Sequence, residues 1–236
     1  MAKAIKRKKM TRHELKEDRF LESTKTFISF SRKNSSRIIL VVIVLIIAAV
    51  VARLYISSRH SAEEQARLKK IYADALYENG NFSEAIPAYQ EIIQLHGGTR
   101  TARVAHIFLA NSYFFSGDNE NALENYEKAL KLLGKNVIWA TAAEMGIGSV
   151  QEQSGYFEEA IAHYDNVISK YRDAPVRVDA LLSKARCLEF LNRYNEAIRV
   201  YTVIEMDYPD TDFAEEAEKK IAFLRGAVES ERIPRL

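Results

Sequence analysis

Gly80-Asn81-Phe82-Ser83-Glu84-Ala85, Gly117-Asp118-Asn119-Glu120-Asn121-Ala122, Gly155-Tyr156-Phe157-Glu158-Glu159-Ala160 and Asn192-Arg193-Tyr194-Asn195-Glu196-Ala197 are four copies of one pattern. Their leading residues lie 37, 38 and 37 positions apart. Each closing alanine is followed four residues later by a tyrosine: Tyr89, Tyr126, Tyr164 and Tyr201. A fixed period in the thirties marks a solenoid of like helical units, which works by presenting a surface to another protein. Twelve positions before each alanine stands another small residue, Ala73, Ala110, Gly148 or Ala185. Two antiparallel helices approach closely where small side chains meet, so each copy predicts a helix–turn–helix hairpin with, for example, Gly148 against Ala160. Gly80, Gly117 and Gly155 stand where the first helix must stop, in the left-handed conformation that glycine accepts most easily and asparagine, as at Asn192, next. Phe82, Phe157 and Tyr194 are expected to fill the hairpin corners, with Asn119 the exception.

This grammar resembles the tetratricopeptide repeat (TPR), over roughly residues 66–209. The spacing is longer than the family's usual 34, which implies slightly extended helices or turns. Similar long repeats with Tyr-Pro-Asp turns occur in bacterial envelope members, and here Tyr208-Pro209-Asp210 is such a turn, with an echo at Tyr171-Arg172-Asp173. Beyond it, Asp212-Phe213-Ala214-Glu215 has the residue types of a capping box. Phe213, Ala217, Ile221 and Leu224 follow at helical spacing, which suits a terminal helix that covers the last open face of a solenoid.

Ile38–Ala52 is an unbroken apolar run, extended past Arg53 by Leu54, Tyr55 and Ile56. Nineteen residues rise about 28 Å as a helix, just enough to cross a hydrocarbon layer of roughly 30 Å. Arg53 can snorkel to the headgroups and Tyr55 can anchor at the interface. A cleavable leader is the competing reading, but the 37 residues before the run exceed an ordinary charged leader. Those residues carry twelve Lys/Arg against four Asp/Glu, a net of +8, in a chain whose total is +2; the remainder is therefore −6. Basic segments beside a span stay in the cytoplasm. The expected layout is a basic cytoplasmic arm at 1–37, a transmembrane helix at 38–56, a short linker and start of the first repeat helix at 57–65, four repeats at 66–209, and a capping helix and tail at 210–236. The fold class is all-α: one span, then a superhelical solenoid of about four hairpins. The localisation that follows is a single-pass inner-membrane protein with a cytoplasmic amino terminus and periplasmic repeats.

In the arm, Lys6-Arg7-Lys8-Lys9 reads as a solvated topology signal, with lipid headgroups or nucleic acid as alternatives; no nucleic-acid-binding fold accompanies it. Glu14–Phe30 is expected to form a helix and Ser31–Arg37 a linker. The lone Cys187, among Ala185, Leu188 and Leu191, reads as a small core residue. His13, His60, His96, His106 and His163 have no metal-ligand spacing, and Gly146-Ile147-Gly148 follows no strand, so a repeat helix explains it better than a nucleotide loop. No catalytic residue, metal or cofactor is expected.

In the TPR family the first helices line a groove. Transferred by register, the resemblance implies a protein-binding groove of Tyr77, Ile107, Asn111, Phe114, Phe115, Met145, Leu182, Arg186 and Phe190. Phe115 and Phe190 are expected as exposed anchors above a floor of Ile107 and Leu182, suited to an extended apolar segment or an amphipathic helix. The alternative is that these rings only pack between repeats. The carboxylate clamp of some TPR proteins is rejected, because Ala142 and Gly146 stand where it has basic groups. The whole layout resembles the YfgM-like family of ancillary translocon subunits, which implies association with the SecYEG translocon and periplasmic chaperones. An envelope scaffold for cell-wall or outer-membrane assembly factors is the second reading, and inward signalling through the arm a third.

Overall fold

A computed structural model describes residue 21, residues 24–30 and residues 32–232. The Lys6–Lys9 cluster, His13 and most of the expected Glu14–Phe30 helix lie outside these; residues 24–30 are helical. The chain divides into two compact units, Met1–Arg59 and His60–Leu236.

Nine helices of fourteen residues or more follow in chain order among the described residues: α1 (Ser35–Glu78), α2 (Phe82–His96), α3 (Arg100–Phe115), α4 (Asn119–Leu133), α5 (Val137–Gln153), α6 (Phe157–Lys170), α7 (Arg177–Phe190), α8 (Tyr194–Asp207) and α9 (Asp212–Arg232). No strand is present among the described residues.

In the first unit, α1 is the one described helix long and apolar enough to cross a membrane. Its apolar side chains from Ile38 to Ile56 are exposed all round the helix, and none of its most apolar stretch is buried. The expected linkers are helical at least in part, one of them already expected to hold the start of the first repeat helix. Residues 35–37 already belong to α1, and residues 57–65 continue it without a break. The reason is local: Ser57-Ser58-Arg59-His60-Ser61-Ala62-Glu63-Glu64-Gln65 contains no glycine or proline to stop a helix already propagating.

In the second unit, the last part of α1 pairs with α2, and α3–α4, α5–α6 and α7–α8 form three further hairpins; each helix from α3 onward packs on the next, and α3 also touches α5. The four hairpin turns are built alike. Gly80, Gly117, Gly155 and Asn192 have φ of 75°, 83°, 82° and 56°. The following residue's N–H reaches back five residues to a carbonyl (Asn81 to Leu76, Asp118 to Tyr113, Tyr156 to Gln151, Arg193 to Leu188), and the left-handed residue's own N–H reaches back three. This is the Schellman geometry, and it satisfies helix-end carbonyls that would otherwise be unpaired.

The small residues Ala73, Ala110, Ala185, Ala85, Ala122, Ala160 and Ala197 are all fully buried. Gly148 differs from expectation: a Cβ there would meet the Tyr164 ring at 2.6 Å, not Ala160. The first-helix small position therefore makes room for the repeat's tyrosine. Gly146 does the same one repeat earlier, with the Tyr126 ring 2.3 Å from where its Cβ would stand.

Helix α9 closes the array with Ala217, Ile221 and Leu224 buried against α8, while Phe213 stays 37% exposed. Its cap is one residue earlier than the capping-box reading. Thr211 accepts the Ala214 N–H at its hydroxyl and the Ala214 and Glu215 N–H groups at its carbonyl. Asp210, left-handed at φ 60°, turns the chain ahead of it.

Candidate functional site: the first-helix face

The tyrosine of each second helix crosses to its own first helix and donates a hydrogen bond there. Tyr89 donates to Asp74 at 2.8 Å and Tyr126 to Asn111; Tyr164 donates to Glu152 at 2.8 Å and Tyr201 to Glu189 at 2.6 Å. The rings are buried, so an unpaired hydroxyl would be costly. Burial is also the main reason that all four phenols are held well above the usual tyrosine range.

The acceptors sit at two different heights. In the first two repeats the acceptor is fifteen residues before the tyrosine, and the position three further on is aromatic, Tyr77 or Phe114. In the last two repeats the acceptor is twelve residues before, at that aromatic position, now Glu152 or Glu189. The face therefore has an aromatic half and an ionic half.

In the aromatic half, Tyr77 packs edge-on against Phe82 and Phe108, and Phe115 stacks on Phe82 at 5.0 Å. Asn111 joins the repeats by donating to the Tyr77 hydroxyl at 3.2 Å while accepting from Tyr126. Lys70 bonds Asp74 at 2.7 Å and lies 4.0 Å over the Phe108 ring. In the ionic half, Arg186 of α7 pairs with Glu152 of α5, and Lys220 of α9 pairs with Glu189 of α7 at 3.1 Å. The hydrogen bonds it donates to Glu152 hold the Arg186 guanidinium above even its ordinary high range.

The junction of the halves is an open concavity of about 630 Å³, lined by Phe114, Glu152, Gln153, Phe157, Arg186 and Phe190 among others. Phe115 and Phe190 are 56% and 60% exposed. Each also stacks on the corner ring of the preceding repeat, Phe115 on Phe82 and Phe190 on Phe157 at 4.9 Å. The corner rings Phe82 and Phe157 thus reach the next hairpin rather than filling only their own. Asn119, the polar exception, makes the equivalent reach as a hydrogen bond to Ser154 at 3.2 Å.

The remaining expected groove residues divide. Tyr77, Asn111 and Phe114 are half-buried on this face, and Arg186 is exposed. Met145 and Leu182 are half-buried and pack on the core of the last two repeats. Ile107 is 3% exposed, in a cluster with Ala122, Tyr126 and Ile147, so it supports the face without being accessible from it. Sequence reasoning missed the cross-repeat pairing of Arg186 with Glu152. The complementary exchange of residue types at the two heights carried that signal.

Cys187 is fully buried, and burial pushes its thiol up to about 12, which leaves it unreactive. Among the described residues no group of three or more His, Cys, Asp or Glu is placed to hold a metal ion.

The family model of the tetratricopeptide repeat-like domain matches residues 29–202, and the chain belongs to that family. The matched segment takes in the apolar run as well as the repeats. Among solved structures, nearly identical TPR-like repeats of a putative kinesin light chain from Podospora anserina are similar at a TM-score of 0.58 and 16% identity, covering 72% of this chain and 89% of that one. A tetratricopeptide repeat protein from Parabacteroides merdae is similar at 0.59 and 16%, covering 70% and 62%. Protein PHOX3 of Arabidopsis thaliana is 29% identical over 113 residues, which are 47% of this chain and only 14% of that protein. The fold is that of a TPR-type protein–protein interaction module.

Proposed function

We propose that this chain is a membrane-anchored interaction module whose first-helix face holds a segment of another protein outside the cytoplasm, as an ancillary factor of the export translocon or of its periplasmic chaperone network. The observation that carries the reading is an open concavity lined by Phe114 and the exposed ring of Phe190, with the exposed ring of Phe115 packed against Phe114. Aromatic anchors in a concavity are what dominate binding energy at interfaces. The ionic half beside them, Glu152 with Arg186 and Glu189 with Lys220, favours a ligand that is apolar at one end and charged at the other. Anchorage is supported by the fully exposed apolar stretch of α1, and by a family match that spans this stretch and the repeats together. The +8 charge of residues 1–37 supports an outward-facing repeat domain.

The test is site-specific photo-cross-linking from positions 115 and 190 in intact membranes, with identification of the captured proteins. Translocon subunits, exported chains or periplasmic chaperones support the proposal; cell-wall or outer-membrane assembly factors would replace it with an envelope scaffold. Phe115→Ala with Phe190→Ala should weaken capture by about 2 kcal/mol or more. The lost stacking should cost only about 0.5–1.5 kcal/mol per ring in stability. Capture unchanged, or lost only with unfolding, would mean that the rings serve packing alone.

A further inference from the structure

The turns between repeats carry a feature that the groove does not use. Residues 95–103 and 130–139 hold the first two of these turns and contain Arg100, Arg103, Lys131 and Lys135 with no Asp or Glu. The four cations line one open concavity of about 450 Å³ with Trp139, the only tryptophan of the chain. Among the described residues none of them has a carboxylate within ion-pair distance, although most other cations of the repeats do. The Arg103 Nε is buried with no hydrogen-bond partner. Beside these charges the chain exposes apolar side chains: Leu132 at 47%, Val137 at 50% and Ile138 at 70%. The opposite edge has the other sign, since the second helices there open on Glu84, Glu120, Glu158, Glu159 and Glu196.

We infer that this cationic edge docks on the surface of an anionic phospholipid bilayer, with Val137 and Ile138 entering the interface and the four cations meeting lipid phosphates. Apolar tips flanked by unpaired cations, with an indole beside them, are the chemistry of the bilayer interface: carbon for the acyl boundary, ammonium and guanidinium for the phosphates, tryptophan between. An acidic protein segment would satisfy the charges but leave the β-branched tips in water. The tether favours the bilayer as well. Glu63 bonds the Arg100 and Thr101 N–H groups at 2.7 and 3.1 Å. Only six residues lie between Ile56, the end of the apolar run, and Glu63, so seven Cα-to-Cα steps join them. A chain that short spans at most about 25 Å in any conformation. The inference rests on the membrane-anchored reading.

The lone indole supplies the measurement. The full chain is reconstituted into lipid nanodiscs of phosphatidylcholine, with or without phosphatidylglycerol, and Trp139 emission is recorded with plain and with chain-brominated lipid. Docking predicts a blue shift and quenching by brominated chains in the anionic discs. Both should fall in Arg100→Glu with Lys131→Glu and Lys135→Glu, each cation removed shifting the docked population by roughly fivefold. Ile138→Ser, at an exposed site that leaves the fold intact, should reduce the quenching alone. Co-purification of the chain with the disc reports the span independently. A chain that inserts but shows the same Trp139 signal in neutral and anionic discs, or an unchanged signal after charge reversal, overturns docking and leaves anchorage standing. A signal that responds to poly-glutamate peptide and not to brominated lipid would also overturn it, in favour of an acidic protein partner.

Discussion

A methyl group at position 148 would sit 2.6 Å from the Tyr164 ring, inside any normal contact distance. Gly148→Ala should therefore destabilise the His60–Leu236 unit: overpacking of roughly 1–3 kcal/mol exceeds the ~1 kcal/mol that alanine gains in helix propensity. Gly146→Ala, with 2.3 Å to the Tyr126 ring, should be the worse of the two in thermal melts. Gly117→Ala makes the contrast, because nothing lies within 4 Å and only the φ of 83° opposes it, a cost of roughly 1–2 kcal/mol. Equal losses at 117, 146 and 148 would contradict this ranking. The glycine and tyrosine positions were legible in the sequence because a turn needs one backbone region and a repeat fixes the register. The acceptor that each tyrosine selects was not, since Asp74 and Glu152 stand at different heights and only the packed ring chooses between them.

At the scale of helices, α3 is capped twice at its start. Thr99 accepts the Ala102 N–H at 3.0 Å, and Glu63 of α1 reaches across to the Arg100 and Thr101 N–H groups and the Thr101 hydroxyl. Burial raises the Glu63 carboxyl, but the Thr101 hydroxyl, the two N–H groups and nearby Arg67 outweigh it and hold the group below the usual carboxylate range. A depressed carboxyl contributes stability that is complete above its unfolded value and is lost as pH falls through its folded value. Glu63→Ala should cost about 1 kcal/mol at neutral pH. The difference from wild type should shrink on acidification below the ordinary carboxylate range; urea unfolding across that range checks the sign. A gap that widens in acid would refute the cap. This contact spans 37 residues and was invisible in the sequence, where Glu63 fell in the short linker and start of the first repeat helix. The unbroken α1 that brings it there was equally hidden, because propensity cannot tell a helix that starts from one that continues.

At the scale of the molecule, the number of hairpins, their order and the closing helix were all legible, since a solenoid is one local rule applied repeatedly. What decides how the repeats hold one another was only partly so: corner rings and ion pairs between neighbours are set by reach rather than by period. Protease added to spheroplasts should digest the repeats and spare residues 1–37, and protected repeats would reverse the orientation read from charge. Deleting residues after Pro209 should uncover Ile204 and the fourth hairpin, because Ile221 and Leu224 each bury side chains worth about 1.5–3 kcal/mol. Melting of the truncated unit should then begin at its carboxyl end, and an unaltered midpoint would mean that α9 is an appendage. In such an array each hairpin leans on its neighbours alone, so opening is local and proceeds from a free end. Cys187, sealed in α7 and the only thiol of the chain, is placed to time that event. Its alkylation rate under native conditions is a clock for the fraying of the last repeats, built into the wild-type sequence and readable without a label.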